Sequence, residues 1–168
     1  MKNLLRLIAF FLLSFGLGAC AESSIAQGGA NVTVMGANYT SDHIDFTLMS
    51  PTGKNLGIGE NVKPFSKGGS GGWSCCSMVP GVGQTVRVES KVGGFNDAAD
   101  QYTTYKRDVV VTGSMPSTKD ELHGYLIVRF FPGNQVEVEL IPSADFAPQN
   151  PHVDKLFSGN RVIRKIGE

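Results

Sequence analysis

Residues 125–141 read Tyr-Leu-Ile-Val-Arg-Phe-Phe, then Pro132-Gly133-Asn134, then Gln-Val-Glu-Val-Glu-Leu-Ile. This stretch restricts the fold more than any other. Proline and glycine at its centre predict a three-residue hairpin loop, and such a loop fixes the strand register. Phe131 then lies opposite Gln135, Phe130 opposite Val136, Val128 opposite Val138 and Leu126 opposite Leu140. All the large apolar pairs fall on one face. On the other face Arg129 meets Glu137, opposite charges directly across the ladder. A slip of one residue would set valines against glutamates, so turn and pattern specify the same pairing.

The rest of the chain repeats the theme of short strands between turns. Residues 31–40 and 42–49 form a pair of strand candidates, and in the second Ile44, Phe46 and Leu48 alternate with His43, Asp45 and Thr47. That period of two marks a half-buried strand. Ser50-Pro51-Thr52-Gly53 is a turn cluster. Nine glycines fall in residues 53–83, where little repetitive pattern survives until Trp73-Ser74-Cys75-Cys76, which reads as strand. Residues 85–89 alternate again, residues 92–104 are loop by composition, and residues 107–112 carry three successive valines. A short helical turn is expected from Ser117. Pro142, Pro148 and Pro151 exclude a long helix or a central strand and predict an extended wrap as far as His152. Arg161, Arg164 and Lys165 make a small basic tail, read as solvated. The expected fold is all-β, a single sandwich or partly open barrel of about seven strands over residues 31–168.

The N-terminus specifies a location. Lys2 and Arg6 precede an apolar run over residues 7–17, and Leu17-Gly18-Ala19-Cys20 closes it. This is the layout of a secretory signal over residues 1–19. The run is shorter than the roughly 20 residues a helix needs to cross a bilayer. Its ending resembles the lipobox of bacterial lipoproteins, with an ordinary signal cut near Ala26 as the alternative. The resemblance implies cleavage before Cys20 and acylation of that cysteine, palmitate included. It also implies a membrane anchor, with residues 20–30 as a flexible tether. Alanine rather than aspartate at position 21 implies export to the periplasmic face of the outer membrane. Removing the signal leaves 149 of the 168 residues and takes two of the 15 Lys and Arg, against 15 Asp and Glu. A net charge near −2 with no concentrated basic face excludes nucleic acid as the expected partner.

The candidate sites are few. Gly68-Gly69-Ser70-Gly71-Gly72 matches the G-x-S-x-G string of serine hydrolases, but that motif needs a strand before it and a helix after it. No helix is available here, so Ser70 is not read as a nucleophile and no enzyme activity is expected. No Gly-Lys-Ser/Thr follows, which excludes a phosphate loop. Cys75 and Cys76 leave three outcomes open: a vicinal disulfide, two buried thiols, or an intermolecular bridge. Their Cα atoms sit about 3.8 Å apart, closer than usual for a disulfide, while an oxidising compartment favours one. The spacing does not match a zinc site, and no metal or cofactor is expected. His43, His123 and His152 are scattered, and His152-x-Asp154 is read as a solvated pair. Trp73 is read as a core residue beside the cysteines, or else as an anchor in a protein interface. Two loops are the candidate contact elements, residues 67–73 with Lys67, Ser70 and Trp73, and residues 93–102 with Phe95.

These features together resemble a family of uncharacterised proteobacterial lipoproteins. The resemblance rests on Asn38-Tyr39-Thr40-Ser41, on Phe65 leading into Gly71-Gly72-Trp73-Ser74-Cys75-Cys76, on Gly124 through Pro132, on Val136-Glu137-Val138, and on Pro148 and Pro151. It implies a neighbour of type VI secreted phospholipase effectors, and so an immunity protein that binds such a toxin. It supplies no catalytic residues and implies no small-molecule substrate. The alternative expectation is a structural or assembly lipoprotein of the envelope, with a serine hydrolase behind both.

Overall fold

A computed structural model describes residues 28–116 and 123–168. The signal, Cys20, most of the tether and the turn expected from Ser117 lie outside them. The chain forms nine strands: β1 (Ala30–Asn38), β2 (His43–Met49), β3 (Asn55–Val62), β4 (Ser70–Val79), β5 (Thr85–Gly93), β6 (Thr103–Val110), β7 (Thr112–Gly113), β8 (His123–Phe131) and β9 (Gln135–Pro142). They make one nearly closed, barrel-like sheet in the order β6-β5-β2-β3-β4-β1-β8-β9-β7. Neighbours are antiparallel except β1 with β8 and β7 with β9. The fold is all-β, as expected, with β3 and the two-residue β7 beyond the strands legible in the sequence.

The two ends of that order, β6 and β7, are one run of chain bent at Val111. Its N–H donates to Gln84 O and its carbonyl accepts from Gly83 N, both at 2.8 Å. The bend carries the chain from the β5 edge to the β9 edge, where Ser114 N donates to Leu140 O at 2.9 Å. Gly113 sits at φ 92°, and a Cβ there would lie 2.2 Å from Leu140 O. Only glycine permits this close, left-handed approach. Beyond the bend, toward the β8–β9 turn, β6 and β9 form no ladder, and the barrel keeps a seam.

Inside, the apolar faces of all the long strands meet. Val32, Val34, Ile44, Phe46, Leu48, Val86, Val88, Leu126, Val128, Phe130, Val138 and Leu140 are buried in one cluster. Each such side chain contributes roughly 1.5–3 kcal/mol of burial. The β8–β9 hairpin has the expected register, from Phe131 opposite Gln135 to Leu126 opposite Leu140. Its outer face is not solvated, however. Residues 143–168 wrap across it, burying Ile127, Ile141, Val153 and Leu156 in a second cluster with Tyr39, Phe65, Phe146 and Phe157 around it.

That wrap redirects the hairpin's charges. Arg129 stands opposite Glu137 in register, yet its guanidinium binds Glu139 at 2.6 Å and Asp154 at 2.8 Å. Two corrections follow. Asp154 is 2% exposed, so His152 and Asp154 are not a solvated pair; the His152 ring contacts Glu139 instead, at 2.6 Å. The tail is held rather than simply solvated, because Arg161 donates to Ser66 O and Arg164 to Pro151 O, each at 3.0 Å.

Candidate functional site

The barrel has two distinct ends. The chain enters at β1, where Gly29 lies against Val79 and the carbonyl of Gly28 lies beside Gly81. A nine-residue strand spans about 30 Å, so the loops beyond Asn38 are carried to the far end. One buried side chain organises that end. Asn38 Nδ2 donates to Asp42 O at 2.7 Å and to Lys63 O at 3.1 Å, while its Oδ1 accepts from Thr40 N at 2.9 Å and Thr40 Oγ1 at 2.7 Å. Phe65 N donates to Thr40 O at 2.9 Å, which locks the β1–β2 turn to the segment before β4. Asparagine suits this post because its amide offers both donors and acceptors.

From that platform a 3-10 turn, Phe65–Lys67, projects Lys67 toward the β5–β6 loop. Its ammonium lies 5.9 Å from the centroid of the Phe95 ring, a cation–π contact. At an exposed site such a contact is worth about 0.5–1 kcal/mol. Phe95 is 45% exposed and packs edge-on against His43 at 5.6 Å, and His43 packs against Tyr102 at 6.0 Å. The phenol of Tyr102 donates to Gly94 O at 3.3 Å, and Gly94 N donates to Asp97 Oδ2 at 2.5 Å, so the loop carrying Phe95 is tied at its base. Burial, then Asp45 and Asp97, push the Tyr102 phenol above its ordinary value, so it stays neutral. The structure thus brings together two of the four candidate contact residues, Lys67 and Phe95, from loops distant in sequence.

Ser70 and Trp73 lie elsewhere. Ser70 opens β4, half-buried and opposite Ala37. A 3-10 turn leads into it and a strand leads out, the reverse of a nucleophile elbow. Trp73 is 62% exposed on the outer wall, which corrects its reading as a core residue. It faces the same side as Met35, opposite it on β1, while the core side of β4 is taken by positions such as Ser74, opposite Val34. Trp73 stands edge-to-face against Tyr125 at 6.2 Å and Phe146 at 6.4 Å, two rings stacked on each other at 3.9 Å.

Cys75 and Cys76 are joined by a disulfide, and both are exposed. They are not consecutive rungs of a flat strand. Val32 faces Ser77 and Thr33 faces Cys75, which leaves Cys76 as the extra residue of a β-bulge at φ 75°. The bulge supplies the kinked backbone that a bond between neighbours requires. His123 Nε2 shares a 3.0 Å hydrogen bond with Thr33 Oγ1. Among the described residues no cluster of three or more His, Cys, Asp or Glu could hold a metal ion.

The buried charge cluster has no counterpart in the sequence reading. Arg129 is 1% exposed and also donates to His152 O at 2.6 Å, and the Tyr39 hydroxyl donates to Asp154. Burial lowers the affinity of Arg129 for its proton, but Asp154 and Glu139 more than restore it, so the guanidinium stays charged. Burial, then Asp154, raise the Tyr39 phenol far above its usual range. All the donors and acceptors are satisfied inside the cluster, which suits a latch for the wrap rather than a reacting centre.

No protein-family model matches the chain. No curated protein matches it either.

Proposed function

We propose that the protein is a lipid-anchored periplasmic protein of the outer membrane that works by binding another protein, an immunity protein against a secreted phospholipase being the leading form. The observation that carries this reading is the separation of the two ends. The tether joins the barrel where β1 begins, and the Lys67–Phe95 surface lies at the opposite end. Acylation of Cys20 would hold the entry end near the bilayer. A tether of about ten residues reaches roughly 16–19 Å root-mean-square and leaves the far end free to meet a partner. An exposed ring with a cation over it, on a loop tied at its base, is a surface that can cover a catalytic cleft without losing much conformational freedom.

A structural or assembly lipoprotein is the second reading. It draws on the shelf of Trp73, Tyr125 and Phe146, which faces sideways from the barrel wall and would suit a lateral neighbour. Titration of the purified acylated protein against a secreted phospholipase, should its gene neighbourhood encode one, tests the leading reading. Stoichiometric loss of lipase activity is expected, and absence of binding at micromolar concentration removes the immunity role. Ser70→Ala is expected to leave every measured activity unchanged.

A further inference from the structure

We infer that the outer wall of β4, β1 and β8 is the face on which the barrel lies against the phospholipid bilayer; the inference rests on the acylation of Cys20 proposed above. Trp73 and Met78 are both largely exposed on this wall, and the exposed Cys75–Cys76 disulfide lies between them on β4. In register Trp73 stands beside Met35 and Met78 beside Asn31, which separates them by about 13 Å along the strand. Tyr125, across β1 from Cys75, and Phe146 of the wrap extend the same surface sideways.

Charge separates this wall from the opposite one. Strands β1 and β4 contain no Asp, Glu, Lys or Arg, and β8 has none before Arg129, which is turned under the wrap. The wall's imidazole, His123, is tied to Thr33. The opposite wall, β2, β5 and β6, carries Asp45, Arg87, Glu89, Lys91, Lys106 and Asp108. Charges resist leaving water, so the uncharged wall is the one that can approach hydrocarbon. Tryptophan and tyrosine favour the membrane interface, where one end of the ring is apolar and the other wet.

The place where the chain enters selects a bilayer over a protein. Gly29 lies at the foot of this wall, where a Cβ would sit 3.2 Å from Met78 Cε. The tether to Cys20 thus starts from the edge of the apolar patch. Its root-mean-square reach of roughly 16–19 Å matches the length of the patch, so an acyl chain on Cys20 keeps this wall beside the bilayer surface. Contact is then intramolecular, and a weak apolar interaction suffices to orient the barrel. The β5–β6 loop with Phe95 belongs to the charged side and stays in water.

Trp73 is the only tryptophan of the chain, so its fluorescence reports this wall alone. The test places the acylated protein on phosphatidylcholine vesicles with brominated acyl chains, with and without phosphatidylglycerol. Quenching and a blue shift of Trp73 emission are expected, equal in both compositions and insensitive to salt, because no charge takes part. Met78→Glu should remove most of the quenching while Cys20 still holds the protein on the vesicle, and Lys91→Glu on the opposite wall should leave it unchanged. Should Met78→Glu disturb the fold, quenching in the unaltered protein decides. An unquenched Trp73 on vesicle-bound protein overturns the proposal; it leaves the anchor reading standing and the shelf to a lateral protein neighbour. Quenching that requires phosphatidylglycerol also overturns it, since an uncharged contact needs no anionic lipid. Protein isolated without an acyl chain on Cys20 removes the anchor reading instead. A maleimide phospholipid coupled to the Cys20 thiol then tests the wall by itself, quenching upholding the contact and its absence overturning it.

Discussion

At the scale of single residues, Arg129 carries the largest consequence. Its charge is compensated by Glu139 on β9 and by Asp154 and the backbone of His152 on the wrap. Arg129→Ala removes the guanidinium that compensates two buried carboxylates and should cost about 3–5 kcal/mol in urea unfolding. Replacing Arg129, Glu139 and Asp154 together with apolar residues of similar volume should recover most of that loss. Glu60 supplies a pH signature. Burial raises its carboxyl above the ordinary 4.5, against opposing hydrogen bonds from Asn61 and Ser74. The folded state therefore holds that proton more tightly than the unfolded chain, and stability falls as pH rises from about 4.5 through the raised folded value. Glu60→Gln should flatten stability across that window, measured as midpoint against pH. The Arg129 cluster was not legible in the sequence: the hairpin register sets Arg129 opposite Glu137, but its guanidinium binds Glu139 and Asp154 instead. Asp154 lies 25 residues further on, in a proline-rich stretch with no period to place it.

At the scale of elements, legibility follows periodicity. The β8–β9 hairpin could be read residue by residue because an alternating pattern and a three-residue turn fix the same register. Strand β3 was hidden because Gly57 and Gly59 occupy places where polar residues would have completed the alternation with Leu56, Ile58 and Val62. Gly59 is needed there, since a Cβ would lie 2.2 Å from Phe46 O. In β4 the strand itself was legible but its phase was not. A bulge at Cys76 and a second irregularity opposite Met35 and Ala37 decide which side chains face out, and a flat alternation contains no sign of either. The β6–β7 bend makes the element-scale prediction. Gly113→Ala forces a side chain into a left-handed residue pressed on β9, and the conformation alone costs about 1–3 kcal/mol. Hydrogen exchange should then accelerate first at the Ser114 amide, which bridges to Leu140. Unchanged protection at Ser114 would show that this bend does not close the barrel.

At the scale of the whole molecule, the account depends on polarity: entry and anchor at one end, contact surface at the other. Cys20→Ser should abolish palmitate incorporation and move the protein from the membrane pellet to the soluble fraction. The far-end surface should be unaffected in that variant, because the platform is built by Asn38 with Asp42 and Lys63, at the end of the barrel opposite the chain entry. The proposed anchor comes from a local motif in the sequence, whereas Lys67 and Phe95 were legible only as members of two separate loops. That Lys67 and Phe95 meet depends on the β1–β2 turn and the β5–β6 loop converging through His43, a contact without local spacing. The most direct measurement is site-specific photocrosslinking in intact cells that also express the secreted phospholipase proposed as partner. The photoreactive residue is placed at Phe95 on the far end or at Met78, 61% exposed near the entry end. A phospholipase adduct from position 95 and none from position 78 is the predicted result; an adduct from 78 alone, or none from either, would contradict it.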